Sequence, residues 1–315
     1  MRRWWCALLL VCSACGDRRG QQSAEHTSSD ASVDASAQEY EHVRIATFNT
    51  RLFFDPSCDT GACSANDFER APSEPVFRER ARELAQAIAR LQADIVLLQE
   101  VESQRCIDAL HDEMAQQGAV YPIEQLGEIG SPGSVDVAVL ARGTLLEVIR
   151  HRDRPLPLPE GGTTRFAREL LEVRVELRGA TFDVFAAHFR SKNNDDPARR
   201  LAEAIGAQAI VAAAARVRPN ERVVLGGDLN DVPGSETIDQ LEKDGELLRV
   251  ASDRPELDQA TYVYRGQRQA IDHLFAAGSG KAAYVPGSAV VLRDSARGGY
   301  GGSDHAALRA SFRAR

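Results

Sequence analysis

Residues 94–100 read Asp94-Ile95-Val96-Leu97-Leu98-Gln99-Glu100. The unbroken aliphatic run predicts a strand buried on both faces. It comes just after Phe77, Ala81, Leu84, Ile88 and Leu91, whose spacing of three and four predicts a helix. The same alternation of elements continues outward. Val43 to Phe48 alternates like a half-buried strand; Val135, Val137 and Val139 mark another, and Leu171, Val173, Val175 and Leu177 a third. Phe182 to Phe185 follows Gly179-Ala180 as the second arm of a hairpin. Val223 to Leu225, Ile271 to Phe275 and Ala307 to Phe312 complete the strands. Ile107, Leu110 and Met114 suggest a second helix. Asp195-Asp196-Pro197 opens a third, with Leu201, Ile205, Gln208 and Ala212 on one face. The Pro-rich piece 154–162 reads as a surface loop. Strands interspersed with a few helices, and no linker after residue 43, predict one α+β domain of layered sheets over 43–315.

Composition narrows the function classes. The chain has 315 residues, 43% hydrophobic and 27% charged, enough for a substantial core. Its net charge of −8 argues against a basic DNA-coating protein. No apolar run of about 20 residues is present, so no transmembrane helix is expected. Residues 1–15 read as a signal peptide: Arg2-Arg3, an apolar stretch, then small residues before Cys15, which resembles a lipobox cysteine. Residues 16–42 are rich in Ser, Ala, Gln and Asp and read as a disordered linker. An exported protein is the expectation, either an outer-membrane lipoprotein anchored only through Cys15 or a secreted one, and monomeric. Cys58 and Cys63, with Gly61 between them, are expected to form a small-loop disulfide. Cys106 is left free on a helix.

Polar residues then stand directly after the buried strands. Asn49, Glu100, His188, Asp228 and Asn230 each follow one; Asp272 lies within one, and Asp304-His305 precedes the last. Singly such residues cap turns. Together they suit phosphoester hydrolysis, in which catalysis is positioning and electrostatic stabilisation. Glu100, Asp304 and the Asn49 amide offer hard oxygen ligands to Mg²⁺ or Mn²⁺. Asp228 would align or deprotonate water, and Asn230 would donate to a phosphate oxygen. His305 titrates in the range for proton transfer, with Asp272 fixing its tautomer. His188 is a second donor or general acid. His273 is read as a neighbour of the site, Arg200 as structural, and Ser303 as support for the turn bearing Asp304. The separated histidines do not suit zinc.

Ile45-Ala46-Thr47-Phe48-Asn49, Asp94 to Glu100, Gly226-Gly227-Asp228-Leu229-Asn230 and Ser303-Asp304-His305 resemble the four signature blocks of the endonuclease/exonuclease/phosphatase superfamily. The resemblance implies a four-layered α/β/β/α sandwich, with Asn49, Glu100 and Asp304 near Mg²⁺ or Mn²⁺. It also implies that Asp228 and Asn230 act on nucleophile and phosphate, and that Asp272 pairs with His305. His188 stands where the deoxyribonuclease branch has its second histidine. Ala187 to Asn193 is similar to a block of the secreted bacterial nuclease-like branch, in which Arg190, Lys192 and Asn193, with Arg51, could grip phosphates. The implied activity is an exported metal-dependent nuclease acting on DNA or RNA. The alternative is a phosphoesterase on small or lipid substrates, sphingomyelinase-like or an inositol-phosphate phosphatase; a catalytically silent binding protein is the third reading. No exposed aromatic hairpin for membrane insertion is evident from the sequence, which slightly disfavours a lipid substrate.

Overall fold

The structure, a computed structural model, describes residues 41–294 and 298–315. The expected leader with Cys15, and the linker up to residue 40, lie outside the described residues. The chain enters the fold at Glu41, whose carbonyl accepts from the Ala314 amide at 2.7 Å.

Two six-stranded sheets form the centre. The first runs β15 (Val290–Leu292), β16 (Ala307–Arg313), β1 (His42–Phe53), β2 (Ile95–Val101), β4 (Asp136–Ala141) and β3 (Ile123–Leu126). The second runs β11 (Leu247–Arg249), β14 (Asp272–Ala277), β10 (Arg222–Asp228), β9 (Ala180–His188), β8 (Leu171–Leu177) and β5 (Thr144–Arg150). Ile45, Leu97, Val139, Val173, Val184, Val224, Leu274 and Leu308 interdigitate between them. Helices α1 (Glu74–Leu91) and α2 (Gln104–Gln116) cover the outer face of the first sheet, where Phe77, Leu84, Ile88 and Leu110 meet Phe48, Val96 and Leu98. Helix α3 (Pro197–Val217) covers the second through Ala204, Ala207 and Val211 against Phe185, Val223 and Phe275. The result is the expected α/β/β/α order. Truncating a fully buried core leucine such as Leu97 to alanine would cost about 2–5 kcal/mol.

Parallel pairing decides where polar residues go. β1 and β2 run parallel with Asn49 opposite Gln99, and β9 and β10 run parallel with His188 opposite Asp228. β14 is antiparallel to β10, with Asp272 opposite Asp228. His188, Asp228 and Asp272 therefore stand in one row across three neighbouring strands.

Three details differ from the sequence reading. The buried stripe of α3 is Arg200, Glu203, Ala204, Ala207 and Val211, while Leu201 and Ile205 lie half-exposed. Small alanines let this helix approach the sheet closely, so residue size misleads about which side faces in. The Pro-rich piece pairs Leu156–Pro157 with Thr163–Thr164, and Leu156 is buried among α3 residues. β5 was not foreseen because it is an edge strand with mostly exposed residues and no alternation. Cys58 and Cys63 form the expected disulfide. Cys106 is free and buried, its thiol donating to the Phe53 carbonyl. Among the described residues no helix is long and apolar enough to cross a membrane.

Candidate active site

The site lies where the carboxyl ends of β1, β2, β9 and β10 meet the beginning of β14 and the turn before β16. The two sheets come close there because Gly226 carries no side chain, and Gly227 lets β10 lie tightly against β9 in its own sheet. A Cβ on Gly227 would lie 1.9 Å from the Ala187 carbonyl oxygen, and one on Gly226 would lie 2.7 Å from Leu97 Cδ1 of the other sheet.

Asn49, fully buried, joins the sheets. Its amide nitrogen donates to Glu100 Oε1 at 3.2 Å and to Asp228 Oδ2 at 3.0 Å. Its oxygen accepts from the Arg51 amide at 2.9 Å. Glu100 Oε2 takes the Leu52 amide at 2.7 Å. Arg51, Leu52, Glu100 and Asn230 all have φ between 47° and 63°. Such left-handed backbone is uncommon outside glycine and costs about 1–3 kcal/mol per residue, strain that gathers at working sites.

The two histidines differ in charge. His305 Nδ1 lies 2.9 Å from Asp272 Oδ2, and its Nε2 lies 4.0 Å from Asp228 Oδ2. Burial disfavours its imidazolium, but Asp272, by charge and hydrogen bond, and then Asp228 and Asp304 outweigh that and push its pKa up to about 10. His188 Nε2 is 3.7 Å from the same Asp228 oxygen. Burial, then Arg168 and His305, hold its pKa well below the usual value, so it is neutral. Asp228 is pushed up to about 7, by burial first and by Asp272 next. The Asn230 amide donates to Asp228 Oδ1 at 2.9 Å, while the Asn230 side chain donates to the Phe189 carbonyl. Asp272 is steadied by its own amide, which donates to Thr261 Oγ1 at 3.0 Å.

The other expected residues fall into place around this centre. Asp304 is at the rim, 3.4 Å from Arg51 Nε, and both side chains are largely exposed. Ser303 Oγ donates to the Asn49 carbonyl and accepts from the His305 amide, supporting the turn. Lys192 is taken up by Asp231 at 2.7 Å, and Asp231 also binds the buried Arg200. Arg190 donates to the Asn194 carbonyl, and Asn193 is exposed. Lys192 and Arg190 are thus engaged by Asp231 and the Asn194 carbonyl. His273 is buried with Nε2 2.9 Å from the Asp231 carbonyl, and burial pulls its pKa down to about 4.

Sequence reasoning missed Arg168 and assigned no role to Thr261 and Tyr262. Arg168 acts electrostatically on Glu100, Glu203, Asp136 and Asp228 and donates to the Val135 carbonyl. The signal was available: in an antiparallel hairpin the residues before β8 fall beside the end of β9, where His188 stands. Buried Glu203 pins both segments, accepting from the Ala167 and Arg190 amides. Tyr262 packs over His305 at 4.8 Å between ring centroids. It belongs to a hairpin, β12 (Tyr262–Tyr264) with β13 (Gln267–Gln269), that carries exposed Tyr264, Arg265 and Arg268. This hairpin, with its two tyrosines, borders the site.

A hard divalent cation suits this donor set. Glu100, His188 and Asp228 each bring a ligand atom within 4.8 Å of the others. Two of the three are carboxylates; Asp304 stands at the rim beside Arg51, outside that trio.

The profile of the Endonuclease/Exonuclease/phosphatase family matches residues 46–305. No curated protein matches the chain. Among solved structures it is similar to D. rerio TDP2 complexed with single strand DNA product, at 18% identity over 86% of this chain and 98% of that one, with TM-score 0.59. SmcL is similar at 16% identity over 86% and 99%, with TM-score 0.58. The human nocturnin catalytic domain with bound sulfate anion is similar at 16% identity over 87% and 93%, with TM-score 0.57. At these identities the likeness is one of fold.

Proposed function

The chain belongs to the endonuclease/exonuclease/phosphatase family, whose members are phosphoric ester hydrolases, and from that premise we propose that it is an exported nuclease cleaving phosphodiester bonds of DNA or RNA. The observation that carries the reading is the Asn49 amide, which holds Glu100 and Asp228 of opposite sheets beside the Asp272–His305 pair. Asn49, Glu100 and Asp304 would hold Mg²⁺ or Mn²⁺, which would neutralise charge on the phosphoryl oxygens.

The side chains divide the remaining work. Asp228, with a pKa near 7, accepts the proton of the attacking water, and the Asn230 amide keeps its carboxylate in place. His305, charged and held through Nδ1 by Asp272, turns Nε2 towards the ester and donates to its oxygens as charge grows there. Neutral His188 donates a hydrogen bond without adding charge. Arg168 offsets the carboxylates around it.

Nucleic acid is favoured over lipid by the hairpin above His305. Tyr262 and Tyr264 offer faces for bases, and Arg265 and Arg268 offer charge for phosphates. The D. rerio relative in fold was crystallised with single-stranded DNA product, which supports the same substrate class. Export rests on the residue 1–15 leader and on the Cys58–Cys63 disulfide, a bond of oxidising compartments. Cys15 is the proposed lipid anchor, and the chain acts as a monomer.

Purified protein incubated with plasmid, single-stranded DNA, RNA, sphingomyelin and bis-p-nitrophenyl phosphate, with Mg²⁺ or EDTA, tests this. Cation-dependent cleavage of nucleic acid is expected. Cleavage of sphingomyelin alone would replace the nuclease reading with the lipid one.

A further inference from the structure

We propose that Asp59, Glu69 and Glu102 form a second divalent-cation site, for Ca²⁺, which ties the disulfide loop to the end of β2. One carboxylate oxygen from each lies within 4.8 Å of those of the other two. Glu102 is only 5% exposed; its Oε2 accepts the Asp55 amide at 2.6 Å, and its Oε1 is buried with no hydrogen-bond partner among the described residues. A buried carboxylate oxygen left unpaired beside two other carboxylates calls for a cation. The charges acting most strongly on Glu102 are Asp55, Glu69 and Asp59, all negative. The nearby cation Arg105 acts on Asp55 and is itself paired with Glu74 at 2.6 Å.

Glu69, also buried, accepts from the amides of Asp59 and Thr60 and from the Thr60 hydroxyl. A carboxylate has about four lone-pair positions, so one remains for a ligand bond. An all-oxygen set with one member on a loop fits Ca²⁺, which takes about six to eight oxygens in adaptable geometry; Mg²⁺ demands a strict octahedron. Water and backbone carbonyls would complete the shell.

The position suggests what such a site does. Leu52 N holds Glu100, and Asp55 N, three residues on, holds Glu102. Bound Ca²⁺ would therefore stiffen the strained segment that supports Glu100. The inference does not depend on the nuclease reading.

The full chain, stripped with EDTA and desalted, is titrated with CaCl₂ or MgCl₂ while direct binding and the melting temperature are followed. Ca²⁺ is expected to bind with a dissociation constant on the order of 10⁻⁴ M, as in extracellular modules, and to raise the melting temperature by about 5 °C at saturation. Asp304→Asn keeps this response and Glu102→Gln loses it. Asp59→Asn, on the exposed loop and safe for folding, weakens Ca²⁺ binding at least about tenfold. An unchanged Ca²⁺ response in both Glu102→Gln and Asp59→Asn would overturn the proposal, as would no response of the wild type up to about 10 mM. An equal response to Mg²⁺ would overturn the assignment to calcium.

Discussion

Two clusters of carboxylates stand a few residues apart in this molecule, and the protein neutralises them to different extents. Glu100, Asp228 and Asp272 are met by a charged histidine, an arginine and an amide of the protein itself. In the second cluster, burial and then the charges of Asp55, Glu69 and Asp59 leave Glu102 pushed up to about 8. Where the protein supplies part of the countercharge, the carboxylates are held in fixed positions. Where it supplies only more carboxylates, the charge must be met from solution, by a proton or a metal ion.

The strongest way to break this contrast is to remove one carboxylate from each cluster. Asp228→Asn should lower turnover by about 10²–10⁴-fold, the range for a lost general base. Glu102→Gln should leave chemistry within about tenfold of wild type and alter the Ca²⁺ response instead. Single-turnover rates on a short DNA beside Ca²⁺-dependent melting curves separate the two, and equal loss of turnover in both variants would merge the clusters into one site.

Arg168→Met comes next. Removing its charge should cost about tenfold in kcat/KM and raise the His188 pKa, because Arg168 is one of the charges holding it down. Imidazole titration by NMR reads the second effect; an unmoved His188 would place Arg168 outside the site.

The smallest effect sharpens the contrast through pH. The folded pKa of His305, about 10, exceeds its unfolded value of about 6.5. Its stabilising share is therefore complete below about pH 6.5 and disappears as pH rises through about 10, with a slope of at most about 1.4 kcal/mol per pH unit. Urea melts of wild type and His305→Gln in EDTA should converge across that window. Parallel curves would show that the pair adds nothing to folding.

How legible this was depends on the kind of residue. Asn49, Glu100, Asp228 and His305 could be read because each ends or precedes a strongly patterned strand, and sheet pairing brings strand ends together. The α3 face was misread because Ala204, Ala207 and Val211 are small, while the larger Leu201 and Ile205 look more like core. Arg168 is set by the β8–β9 register, which a sequence fixes only once the hairpin is drawn in full. Lys192 looked free for phosphate because its partner Asp231 lies far along the chain.

The most direct test of the central claim is the initial rate of phosphodiester hydrolysis by wild type and His305→Ala, on bis-p-nitrophenyl phosphate and single-stranded DNA, with Mg²⁺ or EDTA. The account predicts a rate that EDTA abolishes and that His305→Ala lowers by about 10²-fold or more on both substrates. Near-normal turnover in the variant, or a wild-type rate indifferent to EDTA, would contradict it.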